Sequence, residues 1–137
     1  MYSEGMGRNR TFIEADTVAQ CAEIFRSTGY EGTSIDDLVR ATGLHRGSLY
    51  KAFGSKRGLF VLALRQSAKP AIPTDDSTDL LLVALMELAP RDPEIRSIAF
   101  DILSGVVPRH TSQSLGERLL ERAREPRTDE ATTKDSA

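Results

Sequence analysis

Tryptophan is absent from the 137 residues, and cysteine occurs once, at Cys21. One thiol excludes an internal disulfide and suits a reducing compartment. Histidine is nearly as scarce: His45 and His110 lie far apart, too few soft ligands for a metal site. The one sustained apolar run, Leu80–Met86, is seven residues, against the ~20 that a membrane-spanning helix needs. The start MYSEGMGRNRTF is polar and has no signal-peptide pattern. No membrane partner and a cytoplasmic location are therefore expected. Alternating apolar and polar residues, the mark of strands, are missing, so an all-α fold is expected. Catalytic constellations are wanting too. Asp36 and Asp37 would point about 100° apart on a helix. His45 and Ser48 have no third group to orient the imidazole. No glycine-rich phosphate loop follows a strand. The chain reads as a non-enzyme, with no cofactor implied.

At 39% hydrophobic and 28% charged residues, the composition is that of a soluble chain of one compact unit or slightly more. The net charge of −2 argues weakly against a nucleic-acid partner, but its distribution argues the other way. Residues 1–69 hold 10 Lys+Arg against 7 Asp+Glu, whereas residues 70–137 hold 8 against 13. Between Gly43 and Lys69 stand six basic residues (Arg46, Lys51, Lys56, Arg57, Arg65, Lys69) and no acid. DNA binding needs a basic face to displace counterions, not a basic protein. A solvated helix face would look the same, so composition leaves both readings open.

The order of residues decides between them. In TSIDDLVRATGLHRGSLYKAFGSKRGLF, residues 33–60, Thr33 or Ser34 can cap a helix whose first turn carries Asp36 and Asp37. Gly43 can end it in the left-handed region, and Leu44 can plug the angle to a second helix at about 45–52. That helix would turn Leu49 and Phe53 inward and present Arg46, Gly47, Ser48, Tyr50 and Lys51 outward. Short, basic and held at an angle, it suits the major groove. Ser34 and Ser55-Lys56 open the helices on either side, where backbone N–H groups, a hydroxyl and an ammonium can clamp phosphates. Tyr50 joins a packing ring to a hydroxyl that can reach a phosphate. Arg46 and Lys51 suit guanine acceptors. Gly47 costs about 1 kcal/mol of helix propensity, which close approach to the sugar-phosphate would explain. Each has a structural alternative: caps for the serines, core for Tyr50, a loosened turn for Gly47, solvated charge for Arg46 and Lys51. For the serines both roles are compatible.

The run AEIFRSTGYEGTSIDDLVRATGLHRGSLYKAFGSKRGLF resembles the N-terminal DNA-binding domain of the TetR family of bacterial transcriptional regulators. The resemblance rests on Phe25, Gly29-Tyr30, Thr33-Ser34-Ile35, Gly43-Leu44, Gly47-Ser48-Leu49-Tyr50, Phe53, Ser55-Lys56 and Leu59-Phe60 in fixed order. It continues more loosely through LLLVALMELAPRDPEIR, similar to the fifth and sixth helices of one TetR subgroup. It implies a double-stranded DNA operator, a homodimer, and a small-molecule effector held among C-terminal helices. No counterpart to the long pair of helices that forms the family's dimer interface is expected within these 137 residues. The subgroup's Gly-Cys before the apolar run is Thr78-Asp79 in this chain, so thiol sensing does not carry over.

The expected layout begins with a helix-turn-helix domain at 11–54, with helices at 11–28, 34–42 and 45–52, and a connecting helix at 55–69. Pro70, Pro73, Asp75 and Asp76 form a break. A shortened helical unit for dimerisation or regulation spans 77–125. Its fifth helix would start at Ser77 or Thr78 and run to Leu88. A sixth, opened by Asp92-Pro93-Glu94, would carry the stripe Ile95, Ile98, Ala99, Ile102, Leu103, Val106 and end by Gly105 or Pro108. A seventh would be opened by a Ser114–Glu117 capping box. Residues 126–137 read as a disordered tail. A unit of some 55 residues struggles to bury two apolar helices alone. Ile98, Ile102, Leu115 and Leu119 are the candidate dimer surface. Cys21 is read as a packing residue, since no basic neighbour would lower its pKa. The chain is thus expected to be a sequence-specific regulator, a repressor acting as a homodimer on a palindrome-like operator. The alternatives are an effector-less or heterodimer-forming variant and an all-helical interaction module without DNA binding.

Overall fold

The computed structural model describes residues 2–105 and 110–126, with side chains from Glu14 onward. These residues form seven helices and one π-helical turn, and no strand occurs among them. α1 (Tyr2–Thr28) begins nine residues before the expected start at 11. α2 is Ile35–Thr42, α3 Arg46–Phe53 and α4 Lys56–Ser67. α5 (Asp75–Val83) runs into the π turn Ala84–Leu88, and α6 (Pro93–Leu103) and α7 (Ser112–Arg124) complete the chain.

Local chemistry sets these boundaries. Ser34 caps α2: its hydroxyl accepts from the Asp37 N–H at 3.1 Å, and Asp37 Oδ2 accepts from the Ser34 N–H at 2.8 Å. Thr33, the other candidate cap, is buried and donates its hydroxyl to the Gly29 carbonyl at 2.6 Å. Gly43 takes φ +71 and donates its N–H to the Val39 carbonyl at 2.9 Å. It reverses the chain into α3, as only glycine does without steric cost. α4 stops two residues short of the expected Lys69, because Pro70 disfavours the helical conformation in the residue before it.

Two further helix starts differ from expectation. α5 is opened by Thr74, which forms a capping box with Ser77. Asp75 and Asp76, read from the sequence as breakers, occupy its first turn, where the helix dipole favours carboxylates. α7 is opened by Thr111 with Ser114 rather than by Ser114 with Glu117. Glu117 instead accepts from the Gln113 amide at 2.9 Å. Val106 and Pro108, expected near the end of α6, and 127–137 of the expected tail lie outside the described residues.

The core is continuous from α1 to α6. Phe25, Leu38, Leu49, Leu59, Phe60, Leu64, Leu80, Leu81, Val83 and Ile95 are its fully buried large side chains. Phe25, Tyr30 and Phe60 form a ring cluster with centroids 5.2–5.9 Å apart, locking α1 onto α4. Cys21 is fully buried, and burial pushes its thiol pKa up to about 11; it packs as expected.

Candidate nucleic-acid interface

α3 divides cleanly between two faces. Leu49 is buried and Phe53 half-buried against the core, while Arg46, Gly47, Ser48, Tyr50, Lys51 and Ala52 are exposed. Gly54, with φ +83, ends the helix by donating its N–H to the Tyr50 carbonyl at 2.8 Å. Six candidate contacts are therefore exposed: five along α3, plus Ser55, which caps α4 by accepting the Gly58 N–H at 2.9 Å. Ser34 is exposed at the start of α2. Neither α3 nor α4 carries an acid in its first turn, unlike α2, α5 and α6. The positive dipole ends of α3 and α4 thus lack an internal carboxylate.

Individual residues depart from their expected environments. Tyr50 is 43% exposed and stands close enough to Arg46 to interact with it electrostatically. Its ring is a surface group rather than core. Arg46 forms an ion pair with Asp36 of α2, and both side chains are largely exposed. Surface pairs of this kind are weak and easily exchanged for another anion. Lys51 has no ion pair among the described residues. Gly47 has a negative φ, and a Cβ added there would meet nothing within 4 Å. The chain itself imposes no requirement for glycine at that position.

Lys56 has a role that spacing could not reveal. Its ammonium donates to the Tyr30 and Thr33 carbonyls, both at 3.0 Å, and lies 4.2 Å above the Tyr30 ring. Burial lowers its pKa, opposed by the nearby Glu87 carboxylate. Two of its three N–H groups are spent on the turn between α1 and α2. It is a strut first, with one proton left for an external acceptor.

The expected dimer surface does not survive as one patch. Ile98 is 7% exposed and belongs to the chain's own core. Ile102 and Leu115 are half-buried against that core, and Leu119 alone is exposed, at 39%. The α6 stripe points inward because α6 packs on the π turn. On the π turn, α6 and α7 the exposed large apolar side chains are Met86, Phe100, Leu119 and Leu120, with Leu62 and Ile72 exposed elsewhere. Met86 and Leu119 line one groove with Val83 and Ala123.

Three polar joints went unseen in the sequence. Arg57 of α4 donates to both oxygens of Asp92 at 2.7 and 3.0 Å, and Asp92 also caps α6. These bonds hold the Asp92 carboxyl down at about 2, Arg57 being the largest cause. Arg118 of α7 forks onto Asp79 at 2.7 and 2.9 Å, with both side chains nearly buried. Glu87 accepts the Tyr30 and Glu31 N–H groups, each at 3.0 Å. The Thr78-Asp79 departure was the one visible signal among the three. Among the described residues no cluster of His, Cys, Asp and Glu could hold a metal, and no helix is long and apolar enough to cross a membrane.

Known proteins share the α1–α4 part of this molecule. The family model described as "Bacterial regulatory proteins, tetR family" matches residues 18–63. An uncharacterized HTH-type transcriptional regulator of Bacillus subtilis, YezE, is 45% identical over 60 residues, 44% of this chain and 31% of its own length. The HTH-type transcriptional repressor BdcR of Escherichia coli is 34% identical over 71 residues, 51% of this chain and 36% of its own. The repressor ComR of the same organism is 41% identical over 54 residues, covering 39% and 26%. The chain thus spans only about a third of the length of these relatives. No solved structure gives a significant match. The matched stretch holds the α1 end, α2, the Gly43 turn, α3 and most of α4, so residues 18–63 are similar throughout to the domain shared by bacterial regulatory proteins of the tetR family.

Proposed function

We propose that the chain is a DNA-binding transcriptional regulator, a repressor, that reads a palindrome-like operator as a homodimer with α3 in the major groove. The outer face of α3 carries this reading: Arg46, Gly47, Ser48, Tyr50 and Lys51 are exposed together on a helix that itself holds no acid, Asp36 of α2 being paired with Arg46. Gly47, which the fold does not require, is accounted for by close approach of a sugar-phosphate backbone. Lys51 is the cation poised for a base edge. Arg46 would exchange Asp36 for a guanine or phosphate. Ser34, Ser55 and the starts of α2 and α4 would flank the groove and hold phosphates. Relatives bearing the name of transcriptional repressors support the sign of regulation.

The homodimer is a matter of reach. One recognition helix of eight residues reads too few bases, and half-sites a DNA turn apart need two such helices held together. The exposed Met86, Leu119 and Leu120 replace Ile98 as the candidate contact. A cytoplasmic, nucleoid-associated location accompanies the proposal.

The test is titration of the chain with DNA flanking its own gene and with random DNA, at several salt concentrations. Operator binding should exceed random binding by roughly 10³-fold or more. Affinity should fall with salt at a log–log slope of about −0.9 per phosphate contacted. Lys51→Ala should weaken operator binding about 10- to 100-fold and relax preference at one base pair. No salt-dependent retention on any DNA would overturn the proposal in favour of an all-helical interaction module. Sedimentation as a monomer at tens of micromolar would refute the homodimer and favour a heterodimer partner.

A further inference from the structure

The turn joining α1 to α2 is held from two sides. Past the end of α1, Gly29 takes φ +80, and the chain runs through Tyr30 and Glu31 to the buried Thr33 and the cap Ser34. From α4, Lys56 holds the carbonyls of Tyr30 and Thr33. From the π turn, Glu87 holds the N–H groups of Tyr30 and Glu31, one with each carboxylate oxygen at 3.0 Å. Neither N–H has another protein acceptor among the described residues. The fit is close: a Cβ on Gly29 would lie 2.7 Å from Glu87 Oε2. Glu87 owes its placement to the π turn, in which the Ala89 N–H reaches back five residues to the Ala84 carbonyl at 2.8 Å. The extra residue in such a turn rotates the downstream side chains relative to a regular helix, and such turns recur at functional positions.

We propose that Glu87 is a positioning residue for DNA binding: it fixes the α1–α2 turn, and through it Ser34 and α2, in the arrangement that meets the groove. The proposal rests on the DNA-binding reading above. Glu87 reaches this turn from outside the matched domain, residues 18–63, so it ties the second half of the chain directly to the binding half. The contact lies at the edge of the molecule: Glu87 is half-buried and Glu31 exposed. Its loss leaves the apolar core in place. The change is in the fraction of molecules whose turn is set before DNA arrives. Apparent affinity falls in proportion to that fraction.

The test compares the parent with Glu87→Ala and Glu87→Gln at a temperature where thermal melts show all three fully folded. Amide exchange at Tyr30 and Glu31 should quicken in both variants. Operator affinity should fall about tenfold in Glu87→Ala, which is about 1.4 kcal/mol. It should fall by less in Glu87→Gln, whose amide oxygen can still accept one of the two N–H groups. The salt slope should stay at the parent's value, because no phosphate contact is removed. A purely structural role would lower the melting temperature and leave the affinity of the folded protein alone. Parent-like operator affinity in folded Glu87→Ala would overturn this inference while leaving DNA binding intact. Failure of the parent itself to bind DNA would overturn both.

Discussion

Removing the Asp79 carboxylate should release α7 from the rest of the molecule. In Asp79→Ala, Arg118 loses a two-pronged hydrogen bond at 2.7 and 2.9 Å between side chains only 11–12% exposed. Breaking a buried pair from one side costs about 3–5 kcal/mol, because a charge is left without its partner. Two features of the site reduce that figure. Asp75, Glu121 and Glu125 stand 3.5–3.6 Å from Arg118 Nη1 and keep the guanidinium partly neutralised. Moreover, α7 has 13 residues and none fully buried, so it can leave the surface rather than hold an unpaired charge against it. A helix of that length is marginal by itself in water. The expected loss is therefore about 2 kcal/mol, seen as undocking and fraying of α7 before the core unfolds. Amide exchange should show α7 losing protection while α1 to α6 keep theirs, and trypsin should cut after Arg118 and Arg122. Asp75→Ala is the control, since its carboxylate is exposed and 3.6 Å away; it should cost no more than about 0.5 kcal/mol. Asp79→Leu combined with Arg118→Met should restore much of the docking, as apolar replacements of buried pairs often do. If α7 in Asp79→Ala stays as protected as in the parent, the fork is not what holds it.

Gly47→Ala should move stability and binding in opposite directions: about 0.5–1 kcal/mol more stable from helix propensity with no clash, yet at least several-fold weaker on operator DNA. Denaturant melts and the DNA titration check the two signs, and unchanged DNA affinity would remove the close-approach account of this glycine. Asp92 should make folding acid-sensitive. Its folded pKa of about 2 lies below the unfolded value near 3.9, so its contribution is complete above about pH 4 and is lost as pH falls toward 2. After allowance for the half-exposed Arg57 partner, that contribution is about 1 kcal/mol. Asp92→Asn should remove this part of the pH dependence of urea melts and leave the remainder.

Much of the α1–α4 unit is legible in the sequence because its signals are local. The Ser34 cap with two acids behind it, the left-handed Gly43 and the pairing of Leu49 with Phe53 involve residues within a few positions of one another. Backbone geometry alone assigns their roles. The same holds for Asp92-Pro93-Glu94 at the start of α6. Where local signals compete, the reading slips by a turn. Thr74–Ser77 and Thr111–Ser114 are capping pairs as good as the ones expected, and only the docking of α5 and α7 selects them. The exposed outer face of α3 was likewise readable, as the complement of its apolar positions.

Sequence determined the all-α class, the order of the first four helices and the acid-free basic segment, each fixed by neighbours along the chain. Tertiary structure decided which way the apolar stripe of α6 faces, and so removed Ile98 from any outer surface. It also decided that the Lys56 ammonium turns inward to two carbonyls 23 and 26 residues away, and that Glu87 reaches back 56 and 57 residues to two amides. A charged side chain at the start of a helix has the same sequence signature whether it points to solvent or to a neighbouring turn. The choice between them is made by an acceptor or donor brought close by packing, and the packing of α1 and α4 around Phe25, Tyr30 and Phe60 is a property of the folded chain.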